Sequence, residues 1–349
     1  MRRFLLALLL SLCLVPPCSA TTTCVLMGGS QNTDVADNQF YSPNAVVVAN
    51  TATEAQRSFL CSTAGTLSSF SVWLVTAPGD AKSWTFTMYK NGVAQSMAVT
   101  IAGATATSGQ DLVNTLVVAG GDRIDIFCDI TAGAPTASPV QFSTLFTPTT
   151  PGQSMFGGNG GSSGLNTVAN IEDQIALGTG DASVLGNYGT GNDFSIVCPV
   201  AGTFKNLFVR LGTDPGNTLT RIFTAQKNNI DTTVTCTVTG NAGGTSLTAS
   251  DTAHSFTVVA GDLILVQGTV GPSNVAASTC MVGVTFEATT LGDFFTASTR
   301  SGNTSPSSNR FWSLNMAFSP SGTSTENYTD VRGLGGFTIK GIQILLATA

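Results

Sequence analysis

Apolar side chains recur at every second position in three stretches of the chain: Phe70, Val72 and Leu74; Leu207, Val209 and Leu211; and Ile342, Ile344 and Leu346. The positions between them vary, so that Ser71 and Trp73 in the first stretch become Phe208 and Arg210 in the second. A period of two with one constrained face predicts strands lying on a core. Turn chemistry marks where these strands end. Pro78-Gly79 and Pro215-Gly216 suit tight turns, because proline presets φ and glycine accepts a positive one. Asn91-Gly92, between TFTMYK and VAQSMAVTI, is a two-residue hairpin signal, and Asn228-Asn229 stands in the same place in the second stretch. NTLVV, RIDIFCDI and VQFSTLF add strands to the first set, as SFTVV, LILVQGTV and MVGVTFEA do to the second.

The two sets are copies of one unit. Residues 61–92 align with 198–229 without a gap, matching Cys61 with Cys198, the Ala-Gly-Thr before each strand, both Pro-Gly turns, and Lys90-Asn91 with Lys227-Asn228. Further on, Val117-Val118-Ala119-Gly120 reads as the counterpart of Val258-Val259-Ala260-Gly261, with Asp122 and Asp262 close behind. Seven or eight short antiparallel strands per unit predict an all-β protein of tandem β-sandwich repeats, over residues 21–150 and 151–288. A jelly-roll-like topology is favoured, because the Cys…Trp…Cys spacing of immunoglobulin domains is absent. The Gly- and Ser-rich segments 147–197 and 287–335 are expected to wrap the sandwiches as long loops with a strand or two each.

Residues 289–349 are expected to form an incomplete third repeat. FTIKGIQILLATA matches the unit's first strand, and the sequence stops where the Pro-Gly turn is due. Its apolar face and open edge need cover. Either the repeat continues beyond residue 349, or this strand pairs with another domain or chain.

Composition bears on location more than on fold. Arg2 and Arg3, the apolar run Phe4 to Val15, and Cys18-Ser19-Ala20 make the three parts of a signal peptide over residues 1–20. The run falls short of the ~20 residues that span a bilayer. The protein is therefore expected to be exported, to an extracellular, cell-surface or periplasmic location, with no membrane span in the mature chain. In that compartment Cys24, Cys61, Cys128, Cys198, Cys236 and Cys280 predict disulfides, with Cys61–Cys128 and Cys236–Cys280 inside the repeats. Fourteen basic residues against twenty acidic ones, without a basic run, remove the footprint that nucleic-acid binding requires.

Candidate chemistry is sparse. His254 is the only histidine, read as a solvated residue at a strand entrance opposite Val113. No acid–base or nucleophile constellation is visible, so neither an enzyme nor a cofactor is expected. Asp122 and Asp262 suit turns, where an aspartate bonds nearby backbone N–H groups. Asp34, Asp37, Asp181 and Asp193 lie in Asp/Asn/Gly-rich loops that could hold Ca²⁺ but lack the ligand spacing of a calcium loop. Aromatic residues are the better binding candidates. Trp73 and Trp84 are replaced by Arg210 and Arg221 in the second repeat, and Trp312 lies beyond it. Either these side chains form a ligand platform, or the tryptophans cover the sandwich.

The succession Ala-Gly-Thr, strand, Pro-Gly, strand, Lys-Asn-Gly, strand, Ala-Gly-Asp resembles tandem β-sandwich repeats of uncharacterised exported proteins of bacterial and phage-associated type. The resemblance implies architecture and carries no functional residues. An exported structural or interaction protein is expected: an adhesin-like stalk, filament or matrix component whose partners are copies of itself or surface proteins. The alternative is a glycan-binding protein using Trp platforms; a polysaccharide-active enzyme and a virion surface protein rank below both.

Overall fold

The computed structural model describes residues 23–30, 33–44, 52–159, 164–178, 185–186 and 194–294. The signal-like segment, Trp312, Asp181, Asp193 and the third-repeat strand lie outside the described residues. In chain order the first sandwich contains β1 (Cys24–Gly29), β2 (Gln39–Tyr41), a 3-10 turn (Glu54–Gln56), β3 (Phe59–Leu60), β4 (Gly65–Leu74), β5 (Gly79–Lys90), β6 (Val93–Gly103), β7 (Ser108–Asp111), β8 (Leu116–Val118), β9 (Arg123–Ala132) and β10 (Val140–Pro148). The second contains β11 (Gln153–Asn159), β12 (Glu172–Ile175), β13 (Leu185–Gly186), β14 (Ile196–Val197), β15 (Gly202–Leu211), β16 (Thr220–Lys227), β17 (Ile230–Thr239), β18 (Thr248–Val258), β19 (Leu263–Val270) and β20 (Cys280–Ala288).

All the pairings are antiparallel, and the two sandwiches repeat one strand order. One sheet runs β1-β10-β4, with β7 and β8 end to end on the far side of β4; its counterpart is β11-β20-β15-β18. The facing sheet places β2 and β3 end to end on β9, followed by β5 and β6; its counterpart is β12 and β14 on β19, followed by β16 and β17. Apart from the short consecutive strands β2/β3, β7/β8 and β12–β14, which share a sheet, the chain crosses between sheets at each connection except the β5–β6 and β16–β17 hairpins, which is jelly-roll topology.

The alternation read from the sequence is the buried face. Phe70, Val72 and Leu74, like Leu207, Val209 and Leu211, are at most 2% exposed. Each of these two strands also has a bulge that the alternation does not announce. Ser69 and Asn206 both adopt φ 54°, and the register shifts beside them. The Ala-Gly-Thr glycines serve packing: a Cβ on Gly65 would run into the Phe146 ring, and one on Gly202 into Phe286. Both hairpin turns have positive φ at their two central residues, Asn91 (54°) and Gly92 (82°), Asn228 (54°) and Asn229 (61°), as a two-residue type I′ turn requires.

Most of the shared polar residues build hydrogen-bond networks that occur once in each sandwich. In the first, Asn91 Nδ2 donates to Asp122 Oδ1 (2.7 Å), while Asn91 Oδ1 accepts from the Arg123 N–H (2.9 Å). Asp122 Oδ2 accepts from the Ala119 N–H, and Lys90 lies 3.8 Å from it. Asn228, Asp262, Leu263, Val259 and Lys227 repeat the arrangement, with Lys227 at 3.0 Å. This latch ties the β5–β6 hairpin to the turn before β9. Cys61 and Cys198 clamp the same turns through their backbones, bonding Asp122 and Gly121 in one case and Asp262 and Gly261 in the other.

A second network sews the two sheets together. Asp111 accepts from the N–H groups of Ala98, Val113 and Asn114, and Asp251 from those of Thr235, Ala253 and His254. These bonds correct two sequence alignments. Ala119 corresponds to Val259 and Asn114 to His254, so the Val-Val-Ala-Gly match is one residue out of register and Val113 is not opposite His254. The histidine lies within β18, 58% exposed at its side chain, with Nδ1 3.0 Å from Asp251 Oδ2.

The expected disulfides are not formed; all six cysteines are buried thiols. Cys61 lies beside Asp122 at the start of β9, whereas Cys128 sits further along that strand, opposite Phe86. That offset is about 20 Å at ~3.3 Å per residue, well beyond the roughly 7 Å that a disulfide bridges between Cα atoms. Cys236 pairs with Phe223 in one sheet, and Cys280 with Leu211 in the other. Burial pushes the Cys24, Cys198 and Cys236 thiols up to about 12, which suppresses the reactive thiolate.

The sandwiches share an interface. β20 is buried along both faces. Met155 of β11 belongs to the core of the first sandwich, and Phe59 and Leu60 close over Gly157 and Gly283. Thr63 Oγ1 donates to Gln153 Oε1 (2.6 Å), and Thr285 Oγ1 to Ser62 Oγ (2.9 Å).

Candidate functional site

Trp84 and Arg221 are part of the scaffold, which corrects their reading as ligand platforms. Trp84 is 3% exposed and its Nε1 donates to the Thr136 carbonyl (3.2 Å). Arg221 is 2% exposed and its Nη2 donates to the Ala276 carbonyl (2.9 Å). Thr136 and Ala276 are themselves counterparts, because their N–H groups donate to the carbonyls of Pro78 and Pro215. The exchange of Trp for Arg therefore keeps one hydrogen bond with a different donor. Trp73 is half-buried on the outward side of β4, in register with Gln141 and Ser108. Arg210 occupies the equivalent place on β15, half-buried at the interface, where burial and then the nearby Arg123 lower its pKa and Glu54 opposes them.

Asp37 is engaged locally: its Oδ1 accepts from the Ile130 N–H (2.9 Å) and its Oδ2 from Asn38 (2.8 Å). Among the described residues, which include Asp34 and Asp37, no group of three His, Cys, Asp or Glu side chains converges as a metal site.

What the sequence analysis missed is the outward face of the sheet formed by β2, β9, β5 and β6. The core takes Ile124, Ile126 and Cys128 from β9 and Phe86 and Met88 from β5. The alternate residues Asp125, Phe127, Asp129 and Thr131 therefore point outward beside Thr85, Thr87 and Tyr89. Phe40 pairs with Phe127 across β2 and β9, and Tyr89 pairs with Asp125 across β5 and β9. The rings meet: Phe40–Phe127 at 4.8 Å, Tyr89–Phe127 at 5.3 Å, and Phe40–Tyr89 at 5.6 Å and 88°. All three are half-buried. Tyr89 lies inside the 61–92 alignment, but Phe40 and Phe127 belong to its neighbours only through strand pairing, which a single sequence does not display.

Carboxyl groups flank the rings. On one side burial, and then the adjacent Asp37 carboxylate, hold Asp129 above the usual carboxylate value. On the other, Asp125 is 0% exposed, packed beside Glu54 and Ser58. Burial pushes it well above the usual range, and nearby Glu54 adds to the shift. Glu54 also lies 3.5 Å from Arg123. Beyond Asp129 runs a chain of hydroxyls: Ser83–Thr131 at 2.7 Å, Thr131–Thr85 at 3.0 Å, and Thr85–Thr100 at 2.8 Å.

In the second sandwich the three ring positions are all glutamine. Register equates Phe40 with Gln174, Phe127 with Gln267 and Tyr89 with Gln226, and Gln226 Nε2 donates to Gln267 Oε1 (2.7 Å). Leu265 replaces Asp125. One scaffold thus carries an aromatic and acidic face in one copy and an amide face in the other. A search of protein-family models and of curated proteins finds no match to the chain.

Proposed function

We propose that the chain is an exported interaction protein, a cell-surface or extracellular component in which tandem jelly rolls are the scaffold and the outward sheet faces make the contacts. The observation that carries this reading is how the repeat divides. Shared polar residues (Asn91/Asn228, Asp122/Asp262, Asp111/Asp251) serve turns and sheet edges, while three contiguous outward positions change together from rings to amides. Export rests on the N-terminal sequence alone. A non-catalytic role is supported by thiols whose pKa burial raises.

The test separates fold from contact. A Phe40→Gln/Tyr89→Gln/Phe127→Gln variant is expected to keep its far-ultraviolet circular dichroism and to lose the binding of the intact protein, whether concentration-dependent self-association in sedimentation velocity or capture of an extracellular polymer. Undiminished binding by the folded variant would remove this face from the account.

A further inference from the structure

We infer that the outward face of β2, β9, β5 and β6 binds a neutral polysaccharide, an inference that rests on the interaction reading above and gives it a ligand class. The three rings supply an apolar patch with π faces, onto which the C–H faces of pyranose rings pack. One step along β9 from Phe127, Asp129 and its neighbour Asp37 place carboxyl oxygens at the edge of that patch. Such oxygens accept sugar hydroxyls in charge-assisted bonds. The Thr131, Thr85 and Thr100 hydroxyls continue the polar side, each able to donate or accept. From Phe127 to Thr131 the open part of the face runs about 13 Å at ~3.3 Å per residue, so it suits two or three consecutive sugars of a chain rather than a single one.

The geometry argues against other ligands. The ring centroids lie 4.8 to 5.6 Å apart, so the rings close on one another and leave no cage for an ammonium group. The carboxyl groups of Asp37 and Asp129 repel phosphates and uronates alike, which disfavours nucleic acids and acidic glycans. The second sandwich, with amides at the ring positions, lacks the apolar patch and is not expected to share the ligand.

The experiment presents the folded full chain with an array of neutral, amino-substituted and acidic polysaccharides, followed by calorimetric titration with the neutral polymer that binds best. Phe127→Gln is the chief variant, since Gln267 already occupies that position on the equivalent strand. Asp129→Asn is the second, and Trp73→Ala the control on another sheet. Expected are binding to a neutral polymer, a loss of about tenfold or more in Phe127→Gln, a weaker loss in Asp129→Asn, and none in Trp73→Ala. Binding confined to acidic or amino-substituted polymers, equal affinity in Phe127→Gln, or no polysaccharide bound by the folded protein would each overturn the inference. Sedimentation velocity on the same proteins separates the two claims. If self-association is present and Phe127→Gln abolishes it, the face is an interaction surface and only the ligand class is wrong; if Phe127→Gln alters neither, both fail.

Discussion

Asn91 illustrates how one side chain can be shared by two turns. It donates to Asp122 and accepts from Arg123, so truncation leaves a carboxylate oxygen and a backbone N–H without their partner. Both bonds are exposed, so Asn91→Ala is expected to cost about 0.5–1.5 kcal/mol in equilibrium urea unfolding. Asp125 makes the opposite case. Its raised pKa means that the folded state holds a proton that the unfolded state has released, so stability falls as pH rises from about 4 through the folded-state value. Leu265 shows that an apolar residue fits the equivalent position. Asp125→Leu is therefore expected to raise the melting temperature at pH 7, with a gain that narrows toward pH 4. A gain independent of pH would mean that the carboxyl titrates alike in the folded and unfolded chains.

At the scale of elements, the period-two faces, the Pro-Gly turns and the hairpin at Asn91-Gly92 were legible because each depends on neighbours within a few residues. The bulges at Ser69 and Asn206 were not, since neither residue type announces a positive φ. β7 also escaped notice, its Ser-Gly-Gln-Asp having no alternation to display. The disulfide expectation failed for a related reason: six cysteines in an export-like chain suggest pairing, but strand register decides their separation. The aromatic face needed register too, because Phe40 and Phe127 are far apart in sequence and adjacent only through β2 and β9. The hairpins offer a test at this scale. Asn229 adopts φ 61°, where Gly92 stands in the first copy, so Asn229→Gly is expected to stabilise the second sandwich by a few tenths of a kcal/mol, read as a small rise in its unfolding midpoint.

At the scale of the molecule, the sandwiches meet where side chains are small. Gly283 lies under the Leu60 carbonyl, and Thr285 bonds Ser62. Gly283→Ala is expected to push the two apart, splitting one calorimetric unfolding transition into two; a single unshifted transition would show that the contact contributes no coupling. The central claim is the division of labour between shared scaffold residues and a diverged outward face. It is tested most directly by titrating the neutral polysaccharide chosen by the array into Asn91→Ala and Tyr89→Ala/Phe127→Ala proteins, at a temperature where circular dichroism shows both folded. The account predicts unchanged affinity for Asn91→Ala and a loss of about tenfold or more for the ring variant. Equal losses in the two proteins, or the reverse order, would contradict it.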